Sequence, residues 1–563
     1  MADDAGSKFG LVKRRSKFRR KFGTGFVVLS LLAALIFNLW IATTYSGDQP
    51  GDSAMYVRLA GNLLDHGVFS NDTQEPFSPT LIRLPGYPLF IAAIYAVFGN
   101  GNNTAVFVAQ GLASVSTAIL AGLLGYGWFA GNKRRRRRAA FLSFVLCAFC
   151  PFIITFSSVV LTETLTMFFM TAAALAATYG LRSAGRISYF WWATAGVIVS
   201  LSVYLRPDSG LFALGLGLTL LVSLFFKGKT EGGISARFLR VVAKGAIFSM
   251  AFVLVLLPWT IRNERVFGVF QPLAPTHAEM PGEFVPTGYY LWLRTWIDDG
   301  RFIAPMIWNV ELHPIKFEDI PVYAFSSDEE KQRVAALIDQ YNNSDPDHPQ
   351  TPPQVKKDDS DDDNSDDQSD DDFDKGDDAA DDNGDQTADD AELDLKISPE
   401  SDAAFAQIAH DRIAKEPLRF YAWLPAKRAA SMWFDAHSDY YSFSGTLFPL
   451  TDLDTDIHQD LWLAGFAGLV WIYTLLAFAG AILLALDGRW KSRLFLLLIL
   501  LMSLPRIIFF GTLENPEPRY LIELFVFAAI LGGIALAKFR LRKRTGSLFL
   551  ELTYRTSNAS KVE

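Results

Sequence analysis

Eight charged side chains stand where long apolar runs of this sequence end: Asp52, Arg83, Glu163, Arg206, Asp208, Arg262, Glu517 and Arg519. Asp52 opens the stretch Gly51-Asp52-Ser53-Ala54-Met55-Tyr56, and Leu59, Leu63 and Leu64 follow at helical spacing, so the segment reads as an amphipathic helix. There the aspartate serves either as a helix N-cap or as a general base that takes a proton from a hydroxyl. Arg83-Leu84-Pro85-Gly86-Tyr87-Pro88 starts a second, short helix. Its arginine is either a snorkelling helix-start residue or a bidentate ligand for phosphate. Arg206-Pro207-Asp208, Pro258-Trp259-Thr260-Ile261-Arg262-Asn263 and Glu517-Pro518-Arg519-Tyr520 repeat the pattern. Each of these arginines could pair with a neighbouring carboxylate; several at one depth would make an electropositive site for a phosphate leaving group. Glu163 is either an ordinary first-turn acid or part of the same pocket, which Tyr56, Tyr87 and Tyr520 would line.

These positions matter because of the elements between them. Half of the 563 residues are hydrophobic and 14% aromatic, and the apolar residues are gathered into runs. A span needs about 20 mostly apolar residues. Ten windows qualify, near 24–45, 105–129, 139–156, 162–181, 190–206, 210–226, 243–261, 461–486, 494–511 and 519–538. The expected fold is an all-α polytopic membrane protein of about ten transmembrane helices. It has an interfacial first outer loop and a large outer segment between spans seven and eight. The dozen apolar residues of Pro88–Gly99 are too few to cross and suit an interfacial or re-entrant helix. The first run is too long for the core of a signal peptide and reads as an uncleaved anchor.

Charge orients the spans. The formal net charge is -8, yet Asp358 to Asp394 holds twenty acidic residues against the single Lys375, which leaves +11 for the remainder. Lysine and arginine cluster at Lys13–Lys21, Lys133–Arg138, Arg182 and Arg186, Lys227–Lys244, Arg489–Arg493 and beyond Lys538. A cytoplasmic N-terminus places all six clusters inside, as the positive-inside rule requires, and places the acidic run outside. The eight charged residues then share the outer face. A transporter would instead set such groups near the bilayer midplane among broken helices. A site at the outer interface suits a substrate whose tail stays in lipid while its phosphate and polar head meet protein.

The organisation follows: a cytoplasmic basic tail (1–23), an N-terminal transmembrane module (24–261) with a catalytic first outer loop (46–104), an extracytoplasmic segment (262–460), C-terminal transmembrane helices (461–538) and a cytoplasmic tail (539–563). Within the outer segment, 344–394 is Pro-rich and then Asp-rich, with too few apolar residues to offset the entropy of ordering, and is expected to be a disordered acidic linker. It lacks the ligand spacing of a calcium loop. The aromatic stretches around Tyr289–Leu293 and Phe420–Leu424 would supply the core of any soluble part, with amphipathic helices at the interface. The two cysteines, Cys147 and Cys150, lie within the third apolar run with no second pair or histidine near, so packing is their expected role.

In order along the chain, these motifs resemble glycosyltransferase clan C. The resemblance is to the branch that holds the protein O-mannosyltransferases, the lipid A aminoarabinose transferase and the rhizobial galacturonosyltransferase-like proteins. It is carried by Asp52, Tyr56, Ala60 and Leu63; by Arg83–Pro88; by Thr162-Glu163-Thr164; by Leu205-Arg206-Pro207-Asp208; by Leu257-Pro258-Trp259 with Arg262-Asn263; and by Pro518-Arg519-Tyr520-Leu521. The family's first loop usually reads Asp-Glu where this chain has Asp52-Ser53, so a second acidic role is left to Glu163 or Asp208.

The resemblance implies inverting transfer of a sugar from a polyprenyl-phosphate donor to a hydroxyl acceptor. Asp52 would be the general base, and Arg83, Arg206, Arg262 or Arg519 would hold the donor phosphate. It also implies an outward-facing site in a bacterial inner membrane, with no cofactor, no metal and no nucleic-acid partner. Trp191-Trp192 is followed by alanine, unlike the Trp-Trp-Asp motif of the clan's metal-dependent oligosaccharyltransferases. Two other classes fit the same topology. One is a transporter or flippase of polyprenyl lipids without bond-making; the other is a scaffold whose acidic segment recruits partners.

Overall fold

The computed structural model describes residues 25–44, 51–226, 233–344, 395–434, 446–447, 450–451, 457–544 and 547–552. The acidic run expected as a linker, the N-terminal tail and the last residues of the C-terminal tail lie outside the described residues.

The chain begins with α1 (Gly25–Thr44), followed by α2 (Gly51–Asp65), α3 (Gly86–Phe98), α4 (Asn103–Trp128), α5 (Lys133–Ala148), α6 (Pro151–Ile154), α7 (Glu163–Arg182), α8 (Gly185–Leu205), α9 (Gly210–Val222) and α10 (Ile234–Phe267). The segment between α10 and the last helices contributes α11 (Thr287–Arg294), α12 (Asp328–Asn342), α13 (Pro399–Lys415) and α14 (Leu424–Phe434). The last helices are α15 (Ile457–Ala485), α16 (Trp490–Gly511) and α17 (Phe525–Lys538). The described strands form two antiparallel hairpins, Thr446–Leu447 with Leu450–Thr451 and Phe539–Arg544 with Ser547–Leu552.

Among the described residues nine helices are long and apolar enough to cross a membrane, or ten if a bent pair counts as one span. That pair is the third expected span. Lys133–Ala148 and Pro151–Ser158 meet at a 62° bend. The cause lies in the sequence: proline disfavours helical geometry in the residue before it, and Cys150 is extended at φ -80°, ψ 114°. Cys147 and Cys150 flank the break as buried free thiols. The apolar stretch Pro88–Gly99 forms most of α3, a helix of 13 residues that Gly99 caps and that is shorter than a span.

Hydrogen bonds align the helix ends. The Trp128 indole donates to Thr178 Oγ1 (2.8 Å), and Arg182 donates to the Gly127 carbonyl (2.6 Å), so α4 and α7 finish at the same level. Lys538 donates to the Leu483 carbonyl at 2.7 Å, which does the same for α17 and α15. The start of α7, the end of α8, the last turns of α16 and the turn before α17 come together through ion pairs of Arg206 and Arg506. Small residues set the spacing. A Cβ at Gly215 of α9 would overlap the Leu501 carbonyl of α16, so these two backbones touch directly.

Residues 286–297 and 301–420 form a separate compact unit. Its core is aromatic: Tyr289, Trp292, Trp296 and Phe405 are buried together. Tyr289 N donates to Asp402 Oδ1 at 2.8 Å, which ties α11 to α13. Arg412 pairs with Glu330 (2.6 Å) across α13 and α12. Ser327 caps α12 by accepting from Glu330 N, and Ser398 caps α13 by accepting from Ser401 N. Ser344 and Lys396, described residues near the two borders of 345–394, are joined: Lys396 N donates to Ser344 Oγ at 2.9 Å.

Candidate active site

Asp52 lies in the first turn of α2 and does not end as a free cap. Its two oxygens are taken by two arginines from distant parts of the chain. Arg83 Nη2 reaches Oδ1 at 2.8 Å, and Arg519 Nη2 reaches Oδ2 at 3.3 Å. Arg519 also pairs with Glu517 at 2.6 Å. The Asp52 and Arg83 side chains are each about a quarter exposed (26% and 25%), so this pair is open to a substrate. Burial pushes the Asp52 carboxyl up, but the Arg519 and Arg83 charges outweigh it and hold the group below its ordinary value. Asp52 is thus a carboxylate at neutral pH, free of a proton and able to take one.

Helix α3 must approach closely for Arg83 to reach Asp52, and Gly86 permits it. A Cβ there would lie 2.6 Å from the Tyr204 carbonyl oxygen, two residues before Arg206. We expect Gly86→Ala to force the Arg83 loop away from the end of α8, cost about 1–3 kcal/mol of stability and lower whatever activity the Asp52–Arg83 pair supports. Thermal unfolding and turnover of the variant check this.

Beneath the open pair lies a buried ionic network. Arg206 pairs with Glu163 (2.5 Å) and Asp208 (3.2 Å), and its Nε is 4.0 Å from Glu523. Arg506 of α16 pairs with Asp208 and with Glu523 (2.9 Å) and donates from Nε to the Tyr520 carbonyl (2.8 Å). The Arg506 and Glu523 side chains are wholly buried, and Glu163 is 1% exposed. Charges so deep persist only when matched. The Tyr520 ring joins the two layers, with the Arg206 guanidinium 5.3 Å and the Arg519 guanidinium 5.4 Å from its centre. On the other flank Tyr56 and Tyr87 meet edge to face at 5.0 Å, and the Tyr87 hydroxyl donates to Gln110 Oε1 (2.8 Å). Burial, then the Asp52 charge, pushes the Tyr56 phenol up to about 12, so it is a neutral hydroxyl beside the candidate base.

Of the residues read from sequence, Asp52, Arg83, Glu517 and Arg519 come together, as do Glu163, Arg206 and Asp208, with Tyr520 between the two groups. Arg262 joins neither. It donates to the Thr80 carbonyl at 2.8 Å and lies over Trp259 and Phe267, where it braces the loop between α2 and α3. Arg506 and Glu523 were not among the candidates. Their signal was present: an arginine directly after Pro505 inside a 22-residue apolar helix, and a glutamate five residues beyond Pro518. Ionisable residues within spans are costly and mark function.

Fold and site together define a polytopic membrane protein with a cluster of charged side chains where several of its helices end. Residues 27–271 match the family model for dolichyl-phosphate-mannose-protein mannosyltransferase. The match bears out the clan C glycosyltransferase resemblance read from the motifs. Among solved structures, ArnT from Cupriavidus metallidurans in the apo state is similar at 12% identity and a TM-score of 0.35, covering 92% of this chain and 78% of that one. The same protein bound to undecaprenyl phosphate gives 12% and 0.34, over 91% and 78%. The oligosaccharyltransferase AglB from Archaeoglobus fulgidus, in complex with an inhibitory peptide and a dolichol-phosphate, gives 11% and 0.44, over 92% of this chain and 50% of its own. No curated protein matches this chain.

Proposed function

We propose that this protein is a membrane glycosyltransferase that moves a sugar from a polyprenyl-phosphate donor to an acceptor hydroxyl on the extracytoplasmic face, with inversion. One observation carries the reading: a partly exposed carboxylate, Asp52, held between two arginines, Arg83 and Arg519, above a buried ionic network. In the resting protein these guanidiniums are occupied by Asp52. The phosphate oxygens of an arriving donor compete for them, because guanidinium matches phosphate bidentately. Asp52 is thereby released toward the acceptor.

The acceptor oxygen then attacks the anomeric carbon as Asp52 removes its proton. The carbon–oxygen bond to phosphate breaks with its electron pair going to the lipid phosphate, and the new bond forms on the opposite face of the sugar. Arg83 and Arg519 hold the charge that grows on the leaving phosphate, with Arg206 behind them. Asp52 later returns its proton to water. Guanidinium charge does the work of a metal in this scheme, so treatment with EDTA is expected to leave the rate within about twofold.

Envelope glycans, lipids and glycoproteins compared by mass spectrometry with and without the protein test the reading. Loss of one hexose-sized or modified-sugar increment supports it, and an unchanged profile counts against it. The pH dependence is a second test. Because Asp52 is held below its ordinary value in the free protein, the acid limb of kcat/KM should lie below about pH 3.9. In the donor complex the arginines are shared with phosphate, so the acid limb of kcat should lie higher. The Asp52 ion pairs likewise contribute to stability above the ordinary aspartate value, and that contribution fades as pH falls through the depressed one.

A further inference from the structure

We propose that Arg506 is a positioning residue that sets the spacing between Arg206 and Arg519 and so shapes the phosphate site. The inference rests on the donor-phosphate reading above. The two arginines sit on separate segments, the corner between α8 and α9 and the turn before α17, and no covalent proximity relates them. Arg506 reaches both. Its three guanidinium nitrogens fan out to three acceptors: Nη1 to Asp208 on the corner, Nη2 to Glu523 at 2.9 Å and Nε to the Tyr520 carbonyl at 2.8 Å on the turn. Asp208 in turn holds Arg206 (3.2 Å), and Tyr520 is the neighbour of Arg519 in sequence.

The side chain of Arg506 is itself fixed. It is fully buried, with Phe212 of α9 at 5.2 Å and Phe510 of α16 at 5.0 Å from its guanidinium. Met502, Arg506 and Phe510 recur every four residues on one helix face, and all three are buried. One turn below, the direct contact of Gly215 with the Leu501 carbonyl sets the distance between α9 and α16. The planar fork can therefore act as a template: moving it would move both segments. Lysine keeps the charge but offers a single nitrogen that cannot serve three fanned acceptors.

The test measures binding of a fluorescent undecaprenyl phosphate probe to the full-length protein in lipid nanodiscs, alongside thermal unfolding. Arg506→Lys is expected to weaken probe binding at least tenfold while the unfolding midpoint moves by only a few degrees. The losses from Arg506→Lys and Arg206→Lys should not multiply in the double variant, because both act on one geometry. Wild-type affinity in Arg506→Lys, with Arg206→Lys and Arg519→Lys weakened, would overturn this inference alone. Wild-type affinity in all of Arg83→Lys, Arg206→Lys and Arg519→Lys would overturn the phosphate reading itself. Should Arg506→Lys fail to fold, Phe510→Leu loosens the same guanidinium without touching its charge. It is expected to weaken the probe about threefold, and unchanged affinity there would equally overturn the proposal.

Discussion

Asp52→Asn is expected to lower sugar transfer by about 10²–10⁴-fold, the usual contribution of a positioned general base, while binding of a lipid phosphate is kept or tightened. The two halves of this expectation have one cause. Asparagine has the shape of aspartate but does not take a proton from the attacking hydroxyl, so the chemical step stalls. It also removes the negative charge that occupies Arg83 at 2.8 Å and Arg519 at 3.3 Å. Those guanidiniums then meet a donor phosphate with one carboxylate fewer to compete, Glu517 still holding Arg519 at 2.6 Å. Turnover and undecaprenyl phosphate binding, measured on the same preparation, separate the effects. A variant that turns over like the wild type would remove Asp52 from the role of base. A variant that neither binds nor turns over would indicate a damaged pocket. A transporter without bond-making predicts no transfer product from the wild type at all.

The second large effect concerns stability. Arg206→Ala leaves Glu163, 1% exposed, and Asp208, 11% exposed, without their shared guanidinium. Removing one partner of a buried ionic set costs about 3–5 kcal/mol because the remaining charges stay desolvated. The protein contains its own reporter: Cys147 and Cys150 are buried and become reactive to a thiol dye as the helices separate. The dye should report a clearly lower unfolding midpoint for Arg206→Ala. A double variant, Arg206→Met with Glu163→Gln, should recover part of the loss, since it deletes opposite charges together. If Arg206→Ala melts with the wild type, the ionic network is not what holds this end of the helices together.

Much of the fold was legible because a bilayer imposes a simple rule: apolar windows of sufficient length become helices, and the described helices follow those windows closely. The charged cluster was legible for a related reason. Asp52, Arg83, Arg206 and Arg519 interrupt apolar runs at their ends, where polar groups need a special reason to sit among aromatic residues. What spacing could not convey was partnership. Asp52 and Arg519 are separated by most of the chain, and only packing of α2 against the turn before α17 makes them a pair. Arg262 shows the converse: its sequence neighbourhood looks like that of Arg206, yet Trp259 and Phe267 on its own helix capture it. Arg506 was hidden by its surroundings, since a single arginine barely lowers the hydropathy of α16. The break at Cys150-Pro151 was readable in principle from proline geometry, but the apolar window masked it.

The hydrogen bond between Lys396 N and Ser344 Oγ has a consequence for chain entropy. The described residues that border 345–394 are held side by side, so those fifty residues connect two neighbouring fixed points, and their number sets the entropy of closure. For a flexible chain the closure cost grows with the logarithm of length, and exchanging fifty residues for four of glycine and serine reduces it by about 2 kcal/mol. A protein with that exchange should therefore unfold at a higher temperature, with transfer unchanged. Loss of transfer in the shortened protein would instead show that the acidic residues act in the reaction or in recruiting its acceptor. With transfer intact, the insertion acts on this protein through its length and the closure entropy that length carries, and its sequence is free to vary without altering the reaction.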